Sequence, residues 1–205
     1  MIRRARLGVL GGTFDPVHIG HLLAATHARA GCALDEVLLV VANEPWQKAH
    51  RTDMAPAEVR FAAVAAAVAG HEGLVASRME IDRGGTTYTV DTLRQLRSSA
   101  PEAELYLVVG TDAARGVGSW READVVADLA DLVVVDRAGV DRPQLGPHWR
   151  VHWLEMPAVD VSSTDVRDRF ADGRPVDFLV PDAALDVLRA AGLYAGGAEA
   201  FERDQ

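Results

Sequence analysis

The sequence predicts an α/β fold: a doubly wound parallel sheet with a small C-terminal helical extension. Three observations carry this. Short apolar runs of strand length alternate with helical patterns along most of the chain. The run Glu36–Ala42 is continuously apolar after its first residue, as a strand buried on both faces is. The first run, 6–10, feeds a glycine turn that opens a helix.

The elements follow in order. Leu22, Leu23, Ala25, Thr26 and Arg29 ride a helical pattern that Gly31 closes, with Asp15 as its expected N-cap and Pro16 in its first turn. A second strand spans 36–42, and an Ala-rich helix 56–69 has Pro56 in its first turn. Residues 74–81 predict a third strand, 90–98 a helix with Thr89 as N-cap, and 104–109 a fourth strand. A helix at 121–129 precedes a fifth strand at 131–135, and a weaker sixth runs over 150–156. Helices near 164–171 and 181–190 close a single domain spanning 1–194, and the polar, Gly-bearing segment 195–205 reads as a disordered tail. Such crossovers are right-handed, and ligands bind at the carboxyl ends of the strands where their order reverses. The loops after strands one, two, four and five should therefore meet.

Composition narrows the partners. A net charge of −9 lacks the basic stripe a nucleic-acid surface needs, yet leaves room for local positive potential around a nucleotide. There is no run of 18 apolar residues and no signal-peptide pattern, so no membrane partner is expected. One cysteine, Cys32, excludes an internal disulfide framework and suits a reducing, cytoplasmic compartment. Homo-oligomerisation is left open. Among twenty arginines stands a single lysine, Lys48, in a Pro/Trp-bearing loop after the second strand.

The chemistry concentrates in Gly11-Gly12-Thr13-Phe14-Asp15-Pro16-Val17-His18-Ile19-Gly20-His21. Glycines let the backbone turn sharply and an anion approach its N–H groups. His18 and His21, three apart at the helix opening, share a face over the positive end of the helix dipole, a seat for phosphate. A zinc pair is the rival reading, but His-Glu-x-x-His spacing is absent and Cys32 is not placed to help. Ser162 and Asp165 make a capping-box pattern, and with Ser163, Thr164 and Arg167 they offer hydroxyls, N–H groups and charge to an anion.

The first stretch resembles the signature of the His-x-Gly-His nucleotidyltransferase superfamily, and the chain resembles its nicotinate mononucleotide adenylyltransferase branch from residue 7 to about 194. The resemblance implies a Rossmann-like sheet and transfer of the AMP moiety of ATP to nicotinate mononucleotide, releasing pyrophosphate. It implies catalytic roles for His18, His21, Lys48 and Arg167. ATP would meet Gly11, Gly12, Thr13, His18, His21, Gly110, Asp112, Arg137, Ser162, Ser163, Thr164 and Arg167. The mononucleotide would meet Thr13, Phe14, Lys48, the Thr87-Tyr88-Thr89 segment and Trp120, whose indole stacks on the pyridine ring. Magnesium would ride on the ATP phosphates, with no metal ligand from the protein. The chain departs from the family pattern at Glu44, at Ala138 (for Pro), and at Gly116 and Gly118, which imply a looser segment before Trp120. The alternatives are a sister adenylyltransferase for nicotinamide mononucleotide or phosphopantetheine, a non-catalytic nucleotide sensor, and a metal-dependent hydrolase.

Overall fold

The computed structural model describes residues 4–46, 51, 53–137 and 141–194. Lys48 and the tail 195–205 lie outside the described residues, as does Ala138. β1 (Arg6–Gly12), α1 (Ile19–Gly31), β2 (Glu36–Val41), a short β3 (Glu44–Pro45), α2 (Ala57–Val68) and β4 (Leu74–Ser77) make the first half. Next come α3 (Met79–Arg83), a short β5 (Thr86–Thr87), α4 (Thr89–Ser99), β6 (Glu104–Gly110) and α5 (Thr111–Ala114). A 3-10 turn at Val117–Ser119 leads to α6 (Ala123–Leu129), β7 (Asp131–Arg137), β8 (Val151–Met156), α7 (Ser163–Ala171) and α8 (Asp182–Ala190).

Six strands pair in parallel in the order β4-β2-β1-β6-β7-β8. The chain winds outward from β1 through β2 to β4, returns to the other side of β1 as β6, then winds outward again. Strand order reverses between β1 and β6, which makes their carboxyl ends the switch point. Side-chain alternation divides the core between the two faces. Leu10, Leu39, Val108 and Val133 face α1, α2, α7 and α8, whereas Val9, Val40, Leu107 and Val134 face α4 and α6. Helix α8 forms the C-terminal extension, burying Ala184, Leu185 and Leu188 in the same cluster as Ala63, Val64 and Ala67 of α2. Among the described residues, no helix is long and apolar enough to cross a membrane.

Several boundaries differ from the sequence expectations, each for a physical reason. Asp15 is not the cap of α1: that helix starts at Ile19 with His18 as N-cap, and the Asp15 carboxylate serves tertiary partners. The strand expected over 74–81 stops at Ser77, and the next residues form α3, which Gly84 closes in a left-handed conformation (φ 72°). Helix α4 takes in Thr89 and is capped by Tyr88, while α6 begins at Ala123. A second sheet, β3 with β5, pairs Glu44 with Thr86 and Pro45 with Thr87, and is too short to show in a periodicity.

One buried cation secures the carboxyl ends of β1 and β2. Arg60, 1% exposed on α2, donates from Nη1 to the carbonyls of Thr13 and Ala42, both at 2.7 Å. Its Nη2 reaches the Asn43 carbonyl at 3.0 Å and its Nε the Ala55 carbonyl at 2.9 Å. Burial lowers the Arg60 guanidinium from its ordinary value, and the nearby Asp15 carboxylate opposes that. Replacing Arg60 with Met should cost about 3–5 kcal/mol, because buried carbonyls lose charged donors. Urea unfolding would show this as a lowered midpoint at unchanged slope, and an unchanged midpoint would contradict the role.

Candidate active site

The residues between β1 and α1 place two imidazoles over the end of the sheet. The His18 backbone N–H donates to His21 Nδ1 at 3.2 Å. With Nδ1 accepting, the neutral His21 ring carries its proton on Nε2, available as a donor. The ring centroids of His18 and His21 lie 3.7 Å apart with planes tilted by 32°. Gly20 makes this pairing possible, since a Cβ there would stand 3.1 Å from the His18 ring and 3.2 Å from Val161. Phe14 meets His21 edge-on at 4.9 Å, with φ at 51°. Gly12 leaves space for the Phe14 ring, which a Cβ would approach to 2.9 Å.

The amino end of α7 docks onto this turn across most of the sequence. Ser163 Oγ donates to the Pro16 carbonyl at 2.9 Å, and Arg167 Nη1 to the Asp15 carbonyl at 2.7 Å. Arg167 Nη2 also reaches Thr164 Oγ1 at 3.1 Å. Ser162 is the N-cap, its Oγ accepting from the Asp165 N–H at 3.0 Å. The Asp165 carboxylate turns instead to Arg169 at 2.8 Å. Asp15 is the hub beneath. Its carboxylate, 0% exposed, accepts from the Ala55 N–H at 3.2 Å and the Tyr194 hydroxyl at 2.7 Å. It pairs with Arg51 at 3.1 Å, and Arg167 lies 4.0 Å away. Burial, then Asp15 beside it, raises the Tyr194 hydroxyl well above its ordinary value, so it stays a donor.

Between the ends of β1 and β6 opens a cavity of about 300 Å³. Gly11, Gly12, Thr13 and His21 line one wall, and Gly110 and Ala113 the facing one. Trp120, Trp46, Thr87 and Thr89 complete it on the side of α4. A Cβ at Gly11 or Gly110 would meet nothing within 4 Å, so backbone is open to a ligand at both. Trp46 is 41% exposed and stacks on Tyr88 at 6.2 Å, while the Arg121 guanidinium lies 4.6 Å from the centre of the same Tyr88 ring. Tyr88 thus supports the rim rather than lining the cavity.

Other expected residues fare differently. Asp112 is not brought into the cavity: its carboxylate is 97% exposed and paired with Arg115 at 2.6 Å. Arg137 ends β7 in backbone, and its side chain lies outside what the structure describes. Glu44 is exposed and serves through its carbonyl, which accepts from the Thr87 hydroxyl at 3.2 Å. Gly116 precedes and Gly118 lies within the 3-10 turn Val117–Ser119, which Trp120 follows. Glu80, a buried acid lining the cavity, carries no signal in the sequence, because an acid among apolar residues reads as a solvated face. Arg60 was hidden in the same way.

The fold and this site define a class. A cytidylyltransferase-like family model matches residues 9–169, and the chain belongs to that family. Curated relatives narrow the class further. "Probable nicotinate-nucleotide adenylyltransferase" of Clavibacter michiganensis is 44% identical over 192 residues, covering 93% of this chain and 94% of the relative. The protein of the same name from Saccharopolyspora erythraea is 44% identical over 200 residues, covering 96% and 92%. In fold, the chain is similar to Plasmodium falciparum nicotinic acid mononucleotide adenylyltransferase complexed with NaAD. That TM-score is 0.76 at 15% identity, over 96% of this chain and 100% of the other.

Removing the Tyr194 hydroxyl with Phe leaves Asp15 one donor short and should cost about 1.5–3 kcal/mol. Chemical denaturation checks this, and an unchanged stability would remove Tyr194 from the network.

Proposed function

We propose that this chain is a nicotinate-nucleotide adenylyltransferase that joins the AMP moiety of ATP to nicotinate mononucleotide. The observation that supports it most is the docking of Ser163 and Arg167 onto the Asp15–Pro16 carbonyls, which sets the α7 amino end beside the histidine pair. His21 lines the cavity, while His18 and the amino end of α7 stand outside its lining; in this reading the helix ends and the imidazoles together would receive the triphosphate.

In this reading an oxygen of the mononucleotide phosphate attacks the α-phosphorus of ATP. The new P–O bond forms as the bond from the α-phosphorus to the bridging oxygen breaks, and pyrophosphate departs with that electron pair. The nucleophile is already ionised, so no strong base is needed. The protein's work is positioning and stabilisation of charge on the leaving group. His21 donates from Nε2, His18 stands against it, and Arg167, Ser162, Ser163 and Thr164 supply the α7 side. Lys48, from the loop after β3, adds charge to phosphate oxygens. Gly11, Gly12, Thr13 and Gly110 let the nucleotide approach backbone, and Arg137 lies beside the adenine. Thr87 and Thr89 with the first N–H groups of α4 receive the ring carboxylate, and Trp120 stacks on the pyridine, with Phe14 buttressing the turn. Among the described residues no cluster of three or more His, Cys, Asp or Glu could hold a metal ion. Magnesium would enter as part of the substrate, bound to the triphosphate.

Mixing the protein with ATP and nicotinate mononucleotide should release pyrophosphate, with nicotinamide mononucleotide and phosphopantetheine as comparisons. Release only with one of the comparisons would move the assignment to a sister enzyme, and none at all with nucleotide bound would mark a sensor. His21→Ala should lower turnover at saturating ATP by ~10²–10³. Near-normal turnover in that variant would overturn the histidine's role.

A further inference from the structure

Glu80 is a buried acid that the mechanism above leaves unused. It is 6% exposed on α3 and lines the cavity together with Thr87, Thr89 and Thr92. The proton accounting around it is unequal. The Thr92 oxygen receives Arg83 Nη2 at 3.1 Å and points its own proton at Glu80 Oε1. The Thr87 hydroxyl also adjoins the Glu80 carboxyl, but its proton goes to the Glu44 carbonyl at 3.2 Å. Glu80 thus has one firm hydroxyl donor, from Thr92, in a cavity wall that it shares with Thr87 and Thr89.

Resting on the functional reading above, we propose that Glu80 is a proton-coupled specificity residue: the acid-ring mononucleotide binds with one proton held on Glu80, and the amide ring binds without that coupling. The ring carboxylate, at the amino end of α4, shares a wall with Glu80, and two carboxylates in one dehydrated site do not both stay ionised. The carboxyl on a positively charged pyridinium ring is the stronger acid, so the proton stays with the protein. An ionised Glu80 would repel the acid ring and accept from the amide N–H.

The surroundings agree. Burial, the largest influence, raises the Glu80 carboxyl above its ordinary value and Asp91 of α4 adds to this, against the Thr92 and Thr87 hydroxyls and Arg83, which favour the anion. Arg83, on the same helix, stands 3.8 Å from Oε1. Asp91 is itself shared between Arg94 at 3.9 Å and Arg121 at 4.0 Å. From β5 and β3 the neighbouring groups are neutral: the Thr87 hydroxyl and the Glu44 carbonyl.

The test compares kcat/KM for nicotinate and nicotinamide mononucleotides across about pH 6–9, a ratio in which the common phosphate cancels. In the wild-type enzyme the preference for the acid falls as pH rises, approaching about tenfold per unit above the ionisation of Glu80. Glu80→Gln cannot ionise, so its ratio stays flat. A purely structural role would shift both rings equally at every pH. A flat wild-type ratio, or the wild-type slope retained in the variant, overturns the proposal. Should the variant fail to fold, calorimetry on the wild-type protein in buffers of differing ionisation enthalpy decides. More protons taken up with the acid ring than with the amide supports the coupling, and equal uptake refutes it. Absence of pyrophosphate release with either mononucleotide would instead overturn the functional reading, and the proposal with it.

Discussion

The buried carboxylate of Asp15 is the constraint on which the site depends. It sits at zero exposure with Arg51, Tyr194 and the Ala55 N–H around it, while Arg167 holds the carbonyl of the same residue. Three distant segments are thereby fixed to one turn: the loop before α2, the amino end of α7, and the segment after α8. A buried charge of this kind is tolerated when it is paired, as Asp15 is with Arg51, so the segments are held by electrostatics as well as by packing. The histidine pair inherits its position from that turn, and so does the α7 end that faces it.

The location of the cavity follows from topology. β1 and β6 diverge where strand order reverses, leaving a crevice that no crossover helix covers. Open backbone at Gly11 and Gly110 faces it from both strands. Overall acidity does not exclude an anionic ligand here, because binding depends on the local potential and not on the net charge of −9. Arg60 stays tied to four backbone carbonyls, so its charge stiffens the strand ends.

Much of this was legible in the chain because the physics that builds it is local. The apolar runs became β1, β2, β6 and β7, and β8 appeared as the weaker sixth strand. His18 and His21 stand at the helix opening, as their spacing requires, and Ser162 caps α7. Where the reading went astray, tertiary partners had overridden local preference. Asp15 has the residue type of an N-cap, but Ala55, Tyr194 and Arg51 occupy its carboxylate. Met79 and Ile81 extend an apolar pattern that looks like strand, yet Glu80 between them must turn inward to meet Thr92.

The account rests on the claim that the histidine turn and the amino end of α7 are two walls of one triphosphate site. A crystal structure of the protein with a non-hydrolysable ATP analogue tests this most directly. The phosphates should lie between the His18–His21 pair and the Ser162–Thr164 turn, with the adenine above the ends of β6 and β7. Phosphates bound away from either wall would contradict it.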